Sequence, residues 1–211
     1  MSGMAFGISK GSGMRDKIIF LDRDGVINHD SDGFIKSVAE FIFLPRSLAA
    51  LRLLAENGFE VILVSNQSGV GRGIITPENL AAIHRHLIAT VEQNGGWIKD
   101  ILFCPHTPED GCDCRKPEPG LLFKARDAYG IELEEAVMVG DKALDIDCAR
   151  RAGCRKAILV RTGHGAAAEQ ALAERGEPAD YLADDLYDAV CHLLSPAFVA
   201  DDGSPHDGCP L

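Results

Sequence analysis

The 211-residue sequence has no long apolar run and no recognisable export signal. No stretch approaches the roughly 18 to 20 apolar residues that a membrane-spanning helix needs, and residues 1–16 contain no continuous apolar segment of the signal-peptide kind. The sequence therefore predicts neither a membrane partner nor secretion. We expect a cytoplasmic protein whose cysteines are not paired in disulfides by default, because that compartment is reducing.

Positive charge is also scarce. The chain carries 21 Lys and Arg against 32 Asp and Glu, which gives a formal net charge of -11 at pH 7. An acidic surface repels nucleic acids and anionic membranes, so neither is expected as the main partner. The charge does not exclude a small phosphorylated ligand, because such a ligand needs only a local cluster of cations.

The chain lacks an internal repeat and a linker that would divide it. Its length suits one domain with a full core. The segments 1–16 and 195–211 are rich in small and polar residues, and we expect them to form a flexible leader and a flexible tail. Between them we expect a single domain at 17–194, and we expect a monomer.

Five short apolar runs alternate with helical patterns in this central part. The runs are KIIFLD (17–22), FEVILVS (59–65), DILFC (100–104), EAVMVGD (135–141) and KAILVR (156–161). Near-continuous hydrophobicity of this length is typical of strands that are buried on both faces of a parallel sheet. Several of the helical segments between them end at a glycine. The sequence predicts an α/β fold, a doubly wound and mostly parallel sheet with helices on both faces.

Acidic residues follow two of these predicted strands at the ends where ligands bind in such sheets. Asp22, Arg23 and Asp24 follow the first strand, and Asp141 follows the fourth. Two neighbouring carboxylates separate their ionisations unless a cation lies between them, so one can act as nucleophile or metal ligand while the other carries a proton. With Asp141 they form a cluster suited to Mg²⁺. An ordinary Asp-Gly turn explains the dipeptide equally well when it is taken alone.

Groups that can bind an anion follow the other two strands. Ser65 and Asn66 follow the second strand, with glycines nearby whose backbone amides can approach an anion, although all three residue types are also common in turns. Arg115 and Lys116 follow the third strand, and their charges would neutralise a transferring phosphoryl group. Each signal is weak alone, and together the four strand ends predict a phosphate-handling site.

The segments FLDRDG, SNQSG, RKP and GDKALD, in this order and spacing, resemble the motifs of the haloacid dehalogenase superfamily of aspartate-nucleophile phosphatases. The resemblance covers residues 17–165. CPH and CDCRKP further resemble the zinc-containing branch, whose capless members act on heptose bisphosphate or on histidinol phosphate. The resemblance implies a Rossmann-like domain without a cap domain, with a small zinc-binding loop and a bound Mg²⁺.

The resemblance also implies roles for the matched residues. Asp22 would attack phosphorus and form an aspartyl-phosphate. Asp24 would protonate the leaving oxygen and then take a proton from the hydrolytic water. Mg²⁺ would be held by the carboxylates of Asp22 and Asp141 and by the backbone carbonyl of Asp24. Ser65 would hydrogen-bond the phosphoryl oxygens and Lys116 would neutralise them. Arg23 is either a site residue or a partner for local carboxylates.

Three cysteines and one histidine lie within eleven residues, in CPHTPEDGCDC (104–114). Cys104 and His106 form one i, i+2 pair and Cys112 and Cys114 form another, and such pairs project to the same side of an extended segment. Three thiolates and one imidazole match a closed, tetrahedral, structural Zn²⁺ site. Buried free cysteines or a redox pair are the alternatives. Zinc here would hold the basic loop that follows.

Two loops contain residues that indicate which substrate is bound. NHDSDGFI (28–35) and NQSGVGRG (66–73) resemble the corresponding loops of the heptose enzymes. The candidate substrate-binding residues are Asp30, Gly33, Phe34, Asn66, Gln67, Ser68, Arg72, Arg115 and Lys142. Arg72 and Arg115 can clamp a second phosphate bidentately, whereas the cationic end of histidinol phosphate would prefer a carboxylate.

We therefore expect hydrolysis of the 7-phosphate of D-glycero-D-manno-heptose 1,7-bisphosphate, in the synthesis of lipopolysaccharide or another surface glycan. Histidinol phosphate or another small sugar phosphate is the alternative substrate. A non-catalytic sensor of phosphorylated ligands is a further alternative, although each chemical position of the phosphatases is filled in this sequence.

Overall fold

A computed structural model describes residues 17–196 and residue 198. Its strands are Lys17–Leu21 (β1), Phe59–Asn66 (β2), Asp100–Cys104 (β3), Val137–Gly140 (β4), Lys156–Val160 (β5) and Tyr181–Ala183 (β6). They form one parallel sheet in the order β3-β2-β1-β4-β5-β6. The five predicted strands are confirmed, and β6 is an addition at the edge.

Helices fill the connections between the strands. They are Ser47–Glu56 (α1), Ser68–Gly71 (α2), Pro77–Gln93 (α3), Gly120–Tyr129 (α4), Ala143–Ala152 (α5), Gly165–Glu174 (α6) and Leu186–Leu193 (α7). Short 3-10 helices lie at Val38–Glu40, Pro108–Asp110 and Leu133–Glu135. The longest helix, α3, starts where Thr76 accepts a hydrogen bond from the Asn79 N–H, with Pro77 in the first turn.

The sheet is covered on both faces, which explains the continuous apolar runs. In β1, Ile19 and Leu21 pack into one core with residues of α1, α3 and α7. Ile18 and Phe20 pack into a second core with residues of α4, α5 and α6. Alternate residues of a strand point to opposite faces, so a strand between two helical layers must be apolar at every position. The predicted doubly wound α/β fold is confirmed.

The strand order places the two acidic strand ends side by side. β1 lies between β2 and β4, at the point where the order of strands reverses, and ligands bind at this point in open α/β sheets. Leu21 is paired with Val139, and the Asp22 N–H donates to the Val139 carbonyl at 3.0 Å. Asp22 and Asp141, which follow these strands, are therefore neighbours.

No inserted cap domain is evident in the described ranges. The chain between β1 and α1 contains one 3-10 helix and the isolated bridges of Asn28 with Asp24 and Phe43. No helix of residues 17–196 is long and apolar enough to cross a membrane.

The ends of the predicted domain are only partly described. Phe198 is buried in the first core, and the Arg155 guanidinium carbon lies 4.8 Å from its ring centre. The chain is therefore packed at this residue, beyond Leu194. The predicted leader and the rest of the predicted tail lie outside the described residues, and the domain bounds stay a prediction.

Candidate active site

A cleft of about 330 Å³ lies at the carboxyl ends of the central strands. The predicted residues that line it are Asp22, Asp24, Asp30, Phe34, Asn66, Gln67, Arg115, Lys116 and Lys142. A larger cavity of about 530 Å³ has a lining that includes Glu60, Glu132, Glu134 and Glu135. Among the described residues, the lining of the larger cavity contains no lysine or arginine to offset these carboxylates, whereas the smaller cleft is also lined by Arg23, Arg115, Lys116 and Lys142. A phosphate needs such positive charge, so the smaller cleft is the candidate site.

Lys116 joins two acidic residues at the base of this cleft. Its Nζ lies 2.8 Å from Asp22 Oδ1 and 2.7 Å from Asp145 Oδ1, and it donates to the Val64 carbonyl at 2.7 Å. Burial alone would lower the pKa of Lys116, but the charges of Asp145 and Asp22 raise it above its ordinary value. Lys116 is therefore an ammonium ion that contacts the predicted nucleophile.

The pKa of Asp22 reflects two opposing effects. Burial raises the pKa to about 6, and the positive charge of Lys116 opposes this shift. The carboxylate is therefore the main form at neutral pH, as a nucleophile requires.

Asp141 has the features of a metal ligand. It is fully buried, and its Oδ2 accepts from the His164 backbone N–H at 2.9 Å. Among the described residues its Oδ1 has no hydrogen-bond partner, and Lys142 Nζ lies 3.9 Å from it. Burial, together with the charge of Asp22, raises its pKa to about 8. One carboxylate oxygen each from Asp22, Asp141 and Asp145 lie within 4.8 Å of one another. An unpartnered buried oxygen in a carboxylate cluster fits a hard cation such as Mg²⁺.

Asp24 points its carboxylate at a set of donors. It is hydrogen-bonded by Arg23, Asn28 and Gln67. Burial would raise the pKa of Asp24, but the Arg23 charge and these hydrogen bonds lower it overall. Gln67, predicted to bind substrate, here contacts Asp24. The predicted metal contact through the Asp24 backbone carbonyl stays a prediction.

The residues after β2 hold the loop that carries Lys116. The Asn66 side chain donates to the Lys116 carbonyl and accepts from the Lys116 N–H, both at 3.0 Å. Ser65 is buried, with its Oγ 3.4 Å from Gln67 Nε2, and Ser68 is buried at the start of α2. Asn66 therefore fixes the position of Lys116, while Ser65 and Ser68 keep their predicted roles as predictions.

A second charged group lies at the rim of the cleft. Asp30 Oδ2 accepts from Lys142 Nζ at 2.8 Å and lies 3.2 Å from His164 Nε2. Burial would lower the pKa of Lys142, but nearby carboxylates, first of all Asp141, raise it. His164 lines the cleft and is absent from the predicted set. From the sequence, RTGHG (161–165) after the fifth predicted strand has two interpretations, the edge of the site or a plain loop, and the position of His164 supports the first.

The two predicted arginines lie in different places. Arg115 lines the cleft and donates to the His106 carbonyl at 3.2 Å. Arg72 is not among the lining residues, and its Nη2 lies 3.8 Å from Glu109 Oε2. The structure thus brings Arg115, and not Arg72, to the cleft.

Phe34 and Gly33, two predicted substrate-binding residues of the loop at 28–35, also lie in different places. Phe34 lines the cleft, with φ of 62°. Gly33 is not among the lining residues, and its carbonyl accepts from Lys36 Nζ at 3.0 Å.

The four predicted zinc ligands converge. The Sγ atoms of Cys104, Cys112 and Cys114 lie 3.2 to 3.5 Å apart, and His106 Nδ1 lies 3.5 Å from Cys104 Sγ and 3.3 Å from Cys114 Sγ. Ligands around a tetrahedral Zn²⁺ lie about 3.6 to 3.8 Å apart, which follows from the usual bond lengths. A small expansion would therefore seat the ion.

The thiols of this cluster have unequal pKa values. Burial raises the pKa of Cys112, but hydrogen bonds from Cys114 and Cys104 outweigh it and lower the value to about 7. Burial raises the pKa of Cys104 and of Cys114. One thiol is thus close to the thiolate form that zinc binds.

The Cys–His loop is attached to the rest of the site by its backbone. The Gly71 N–H donates to the Pro105 carbonyl at 3.0 Å, and the Gln67 N–H donates to the Cys104 carbonyl at 2.7 Å. An added Cβ on Gly71 would lie 2.5 Å from that Pro105 oxygen. Only glycine permits this close approach.

Gly25 packs directly against Asp141. Its φ is +88°, and a Cβ there would lie 2.2 Å from Asp141 Oδ2. Gly58 has a similar φ of +73°, and no atom of the described residues beyond its chain neighbours lies within 4 Å of a Cβ added there. Gly58 is therefore a matched control for backbone strain without overpacking.

We expect Gly58→Ala to lower the free energy of unfolding by about 1 kcal/mol. Gly25→Ala should lower it by about 3 kcal/mol or more, because overpacking is added to strain.

Chemical denaturation of both variants measures this difference. Equal losses of stability in the two variants would show that Asp141 is not confined by Gly25.

The chain resembles known phosphatases over most of its length. Residues 113–189 match a family described as HAD-hydrolase-like. The D-glycero-beta-D-manno-heptose-1,7-bisphosphate 7-phosphatase of Pseudomonas putida is 43% identical over 178 residues, which cover 84% of this chain and 99% of that protein. The enzyme of the same name from Bordetella bronchiseptica is 44% identical over 162 residues, 77% of this chain and 88% of that protein.

The chain is also similar in structure to a solved enzyme of this kind. The crystal structure of D,D-heptose 1,7-bisphosphate phosphatase from B. bronchiseptica, complexed with magnesium and phosphate, superposes with a TM-score of 0.79 at 42% identity and covers 84% of this chain and 98% of that one. The predicted membership of the haloacid dehalogenase superfamily is confirmed, and the chain is a phosphoric monoester hydrolase by class. Because the similarity extends over nearly the whole of these relatives, the chain belongs to the heptose-1,7-bisphosphate 7-phosphatase family of HAD-like hydrolases.

Proposed function

We propose that this protein removes the 7-phosphate from D-glycero-β-D-manno-heptose 1,7-bisphosphate. The observation that carries the proposal is the 43% identity over 99% of the P. putida enzyme, whose name states this reaction. The β form is proposed because the P. putida and B. bronchiseptica relatives are both named for it. The product would keep its anomeric phosphate for nucleotide activation in surface-glycan synthesis.

The first half-reaction uses Asp22 as the nucleophile. An oxygen of its carboxylate attacks the 7-phosphorus, the bond between phosphorus and the sugar oxygen breaks, and that oxygen takes a proton from Asp24. The contact of 2.8 Å with Lys116 supports this role, because the ammonium favours the ionised form of Asp22. In the second half-reaction water attacks the aspartyl-phosphate and restores Asp22.

Asp22 and Asp141 are the residues that would hold Mg²⁺, together with the backbone carbonyl of Asp24. The unpartnered Oδ1 of Asp141 supports this assignment, as does the magnesium with which the B. bronchiseptica enzyme is complexed in its crystal structure. The ion would offset the charge of the phosphoryl oxygens. Asp145 lies in the same carboxylate cluster, but its contact with Lys116 gives it a separate part in fixing that lysine.

The second phosphate of the substrate needs positive charge away from Asp22. Arg115 and Lys142 both line the cleft and supply that charge. Arg72 would have to leave Glu109 to take part, so we assign the second phosphate to Arg115 and Lys142 first. Gly33, Phe34 and Ser68 remain proposed contacts of the sugar or its phosphates.

We also propose that Cys104, His106, Cys112 and Cys114 hold a structural Zn²⁺. The convergence of all four ligand atoms supports this, and four protein ligands leave no open position for substrate. Cys104, Cys112, Cys114, Cys148 and Cys154 are free, as a reducing compartment allows, whereas Cys191 is disulfide-bonded, contrary to the expectation from the sequence. A cytoplasmic location therefore stays a prediction. The monomeric state likewise stays a prediction.

Two alternatives are less well supported. The relatives described above are named for heptose bisphosphate, so histidinol phosphate is not favoured. A sensor without turnover would not need the paired Asp22 and Lys116 together with a separate proton-transfer residue.

Steady-state kinetics with Mg²⁺ test the substrate assignment. We expect kcat/KM to be highest for the β anomer of heptose 1,7-bisphosphate, compared with the α anomer, fructose 1,6-bisphosphate and histidinol phosphate. The advantage over histidinol phosphate should be at least tenfold, about 1.4 kcal/mol in transition-state binding. Preference for histidinol phosphate would contradict the assignment, and saturable binding without phosphate release would favour the sensor.

Metal analysis of purified protein tests the zinc assignment. We expect about one zinc per chain in the wild type and in the control Cys154→Ser, whose thiol lies outside the cluster. Cys112→Ser should lose most of the zinc and about 3 kcal/mol or more of stability, because metal binding contributes to folding. A zinc-free protein with full activity would contradict the proposal.

A further inference from the structure

The carboxylate of Asp24 is surrounded by hydrogen-bond donors. Its Oδ1 accepts from Arg23 Nε at 3.1 Å, Arg23 Nη2 at 2.9 Å and Asn28 Nδ2 at 2.8 Å. Its Oδ2 accepts from Arg23 Nη2 and from Gln67 Nε2, each at 2.9 Å. We call Arg23, Asn28 and Gln67 the donor cradle. All five side-chain hydrogen bonds of Asp24 within the described residues come from it.

The donor cradle is held in one orientation. Gln67 Oε1 accepts from Arg23 Nη2 at 3.2 Å, so the amide nitrogen of Gln67 must face Asp24. Asn28 Nδ2 also donates to the His29 carbonyl at 2.8 Å, which fixes that amide in the same way. The Arg23 side chain is 1% exposed, with its guanidinium carbon 5.9 Å from the Phe41 ring centre. None of these groups can turn an acceptor toward Asp24 without losing another contact.

This arrangement matches one of the two forms of Asp24 that the reaction needs. A carboxylate accepts hydrogen bonds at both oxygens, whereas a carboxylic acid must donate one. We propose that Arg23, Asn28 and Gln67 are positioning residues that orient the Asp24 carboxylate as the proton acceptor in hydrolysis of the aspartyl-phosphate. The inference rests on the proposed phosphatase function and assigns the donor cradle to its second half-reaction.

In that step a water oxygen attacks phosphorus. The bond between phosphorus and the Asp22 oxygen breaks, and its electron pair returns to the Asp22 carboxylate. The water proton passes to Asp24, and the products are phosphate and free Asp22. Asp24 then carries the proton that the next leaving oxygen receives. A base that is turned away from the water slows this step, and it leaves attack by Asp22 unaffected when the leaving group needs no proton.

The donor cradle is also joined to the Cys–His loop. Gln67 is the residue whose backbone N–H donates to the Cys104 carbonyl at 2.7 Å, while its side chain contacts both Asp24 and Arg23. The position of Gln67 therefore depends on the same segment that carries the first zinc ligand.

Stopped-flow kinetics with p-nitrophenyl phosphate and Mg²⁺ separate the two half-reactions. p-Nitrophenolate is a stable anion that leaves without a proton, so its first-turnover release reports attack by Asp22 alone. Steady-state turnover additionally requires hydrolysis of the aspartyl-phosphate. The variants are Gln67→Met, which removes the amide at similar volume, and Arg23→Lys. The control is Ser47→Ala, which removes a buried hydroxyl that donates to the Leu44 carbonyl, outside the donor cradle.

We expect first-turnover release in both variants to stay within about threefold of wild type. Steady-state turnover should fall about a hundredfold, the lower range for loss of a positioned base, and a burst approaching one p-nitrophenolate per chain should appear. Ser47→Ala should show no burst. If both rates fall together, or neither changes, the donor cradle has no positioning role.

Arg23 is buried and its replacement can unfold the chain, so Gln67→Met alone decides the result if Arg23→Lys does not fold. Wild-type protein without any turnover would instead refute the proposed phosphatase function, and the inference with it.

Discussion

The site depends on one buried ammonium group. Lys116 lies between Asp22 and Asp145 and donates to the Val64 carbonyl, so it joins the end of β1, the start of α5 and strand β2. Removing one partner of such a buried ion pair typically costs about 3 to 5 kcal/mol, because the remaining charge is left without compensation. The same contact keeps Asp22 ionised although burial opposes it. The same ion pair thus supports both the stability of the fold and the ionised form of the predicted nucleophile.

Much of the remaining structure keeps Lys116 in place. Asn66, at the end of β2, forms hydrogen bonds with the backbone of Lys116, and the Cys–His cluster lies directly before Lys116 in the chain.

The two candidate metal sites differ in the surroundings of their ligand atoms. In the carboxylate cluster, Oδ1 of Asp141 has no hydrogen-bond partner among the described residues, whereas the four candidate ligand atoms of the Cys–His cluster lie close to one another. The first suits a cation that takes part in chemistry, and the second a cation that shapes a loop.

The sequence predicted the parts that strand topology determines. Five strands were found because burial on both faces makes them continuously apolar, and Asp22 and Asp141 meet because parallel strands end at the same edge of the sheet. The convergence of Cys104, His106, Cys112 and Cys114 was predicted from their spacing. β6 was not predicted, because Tyr181–Ala183 is a three-residue edge strand with only one fully buried side chain.

Side-chain directions within loops were beyond prediction. Gln67 contacts Asp24, Arg72 contacts Glu109, and His164 reaches Asp30. Each of these contacts depends on the detailed course of two loops, which neither periodicity nor spacing encodes.

The proposed reaction requires that Asp22 form a covalent phosphoryl intermediate. Rapid acid quench of the protein with heptose 1,7-bisphosphate and Mg²⁺, followed by peptide mass spectrometry, tests it most directly. We expect one added phosphoryl group on the peptide that contains Asp22, localised to that residue and absent from Asp22→Asn. A phosphoryl group on another residue, or none during active turnover, would contradict it.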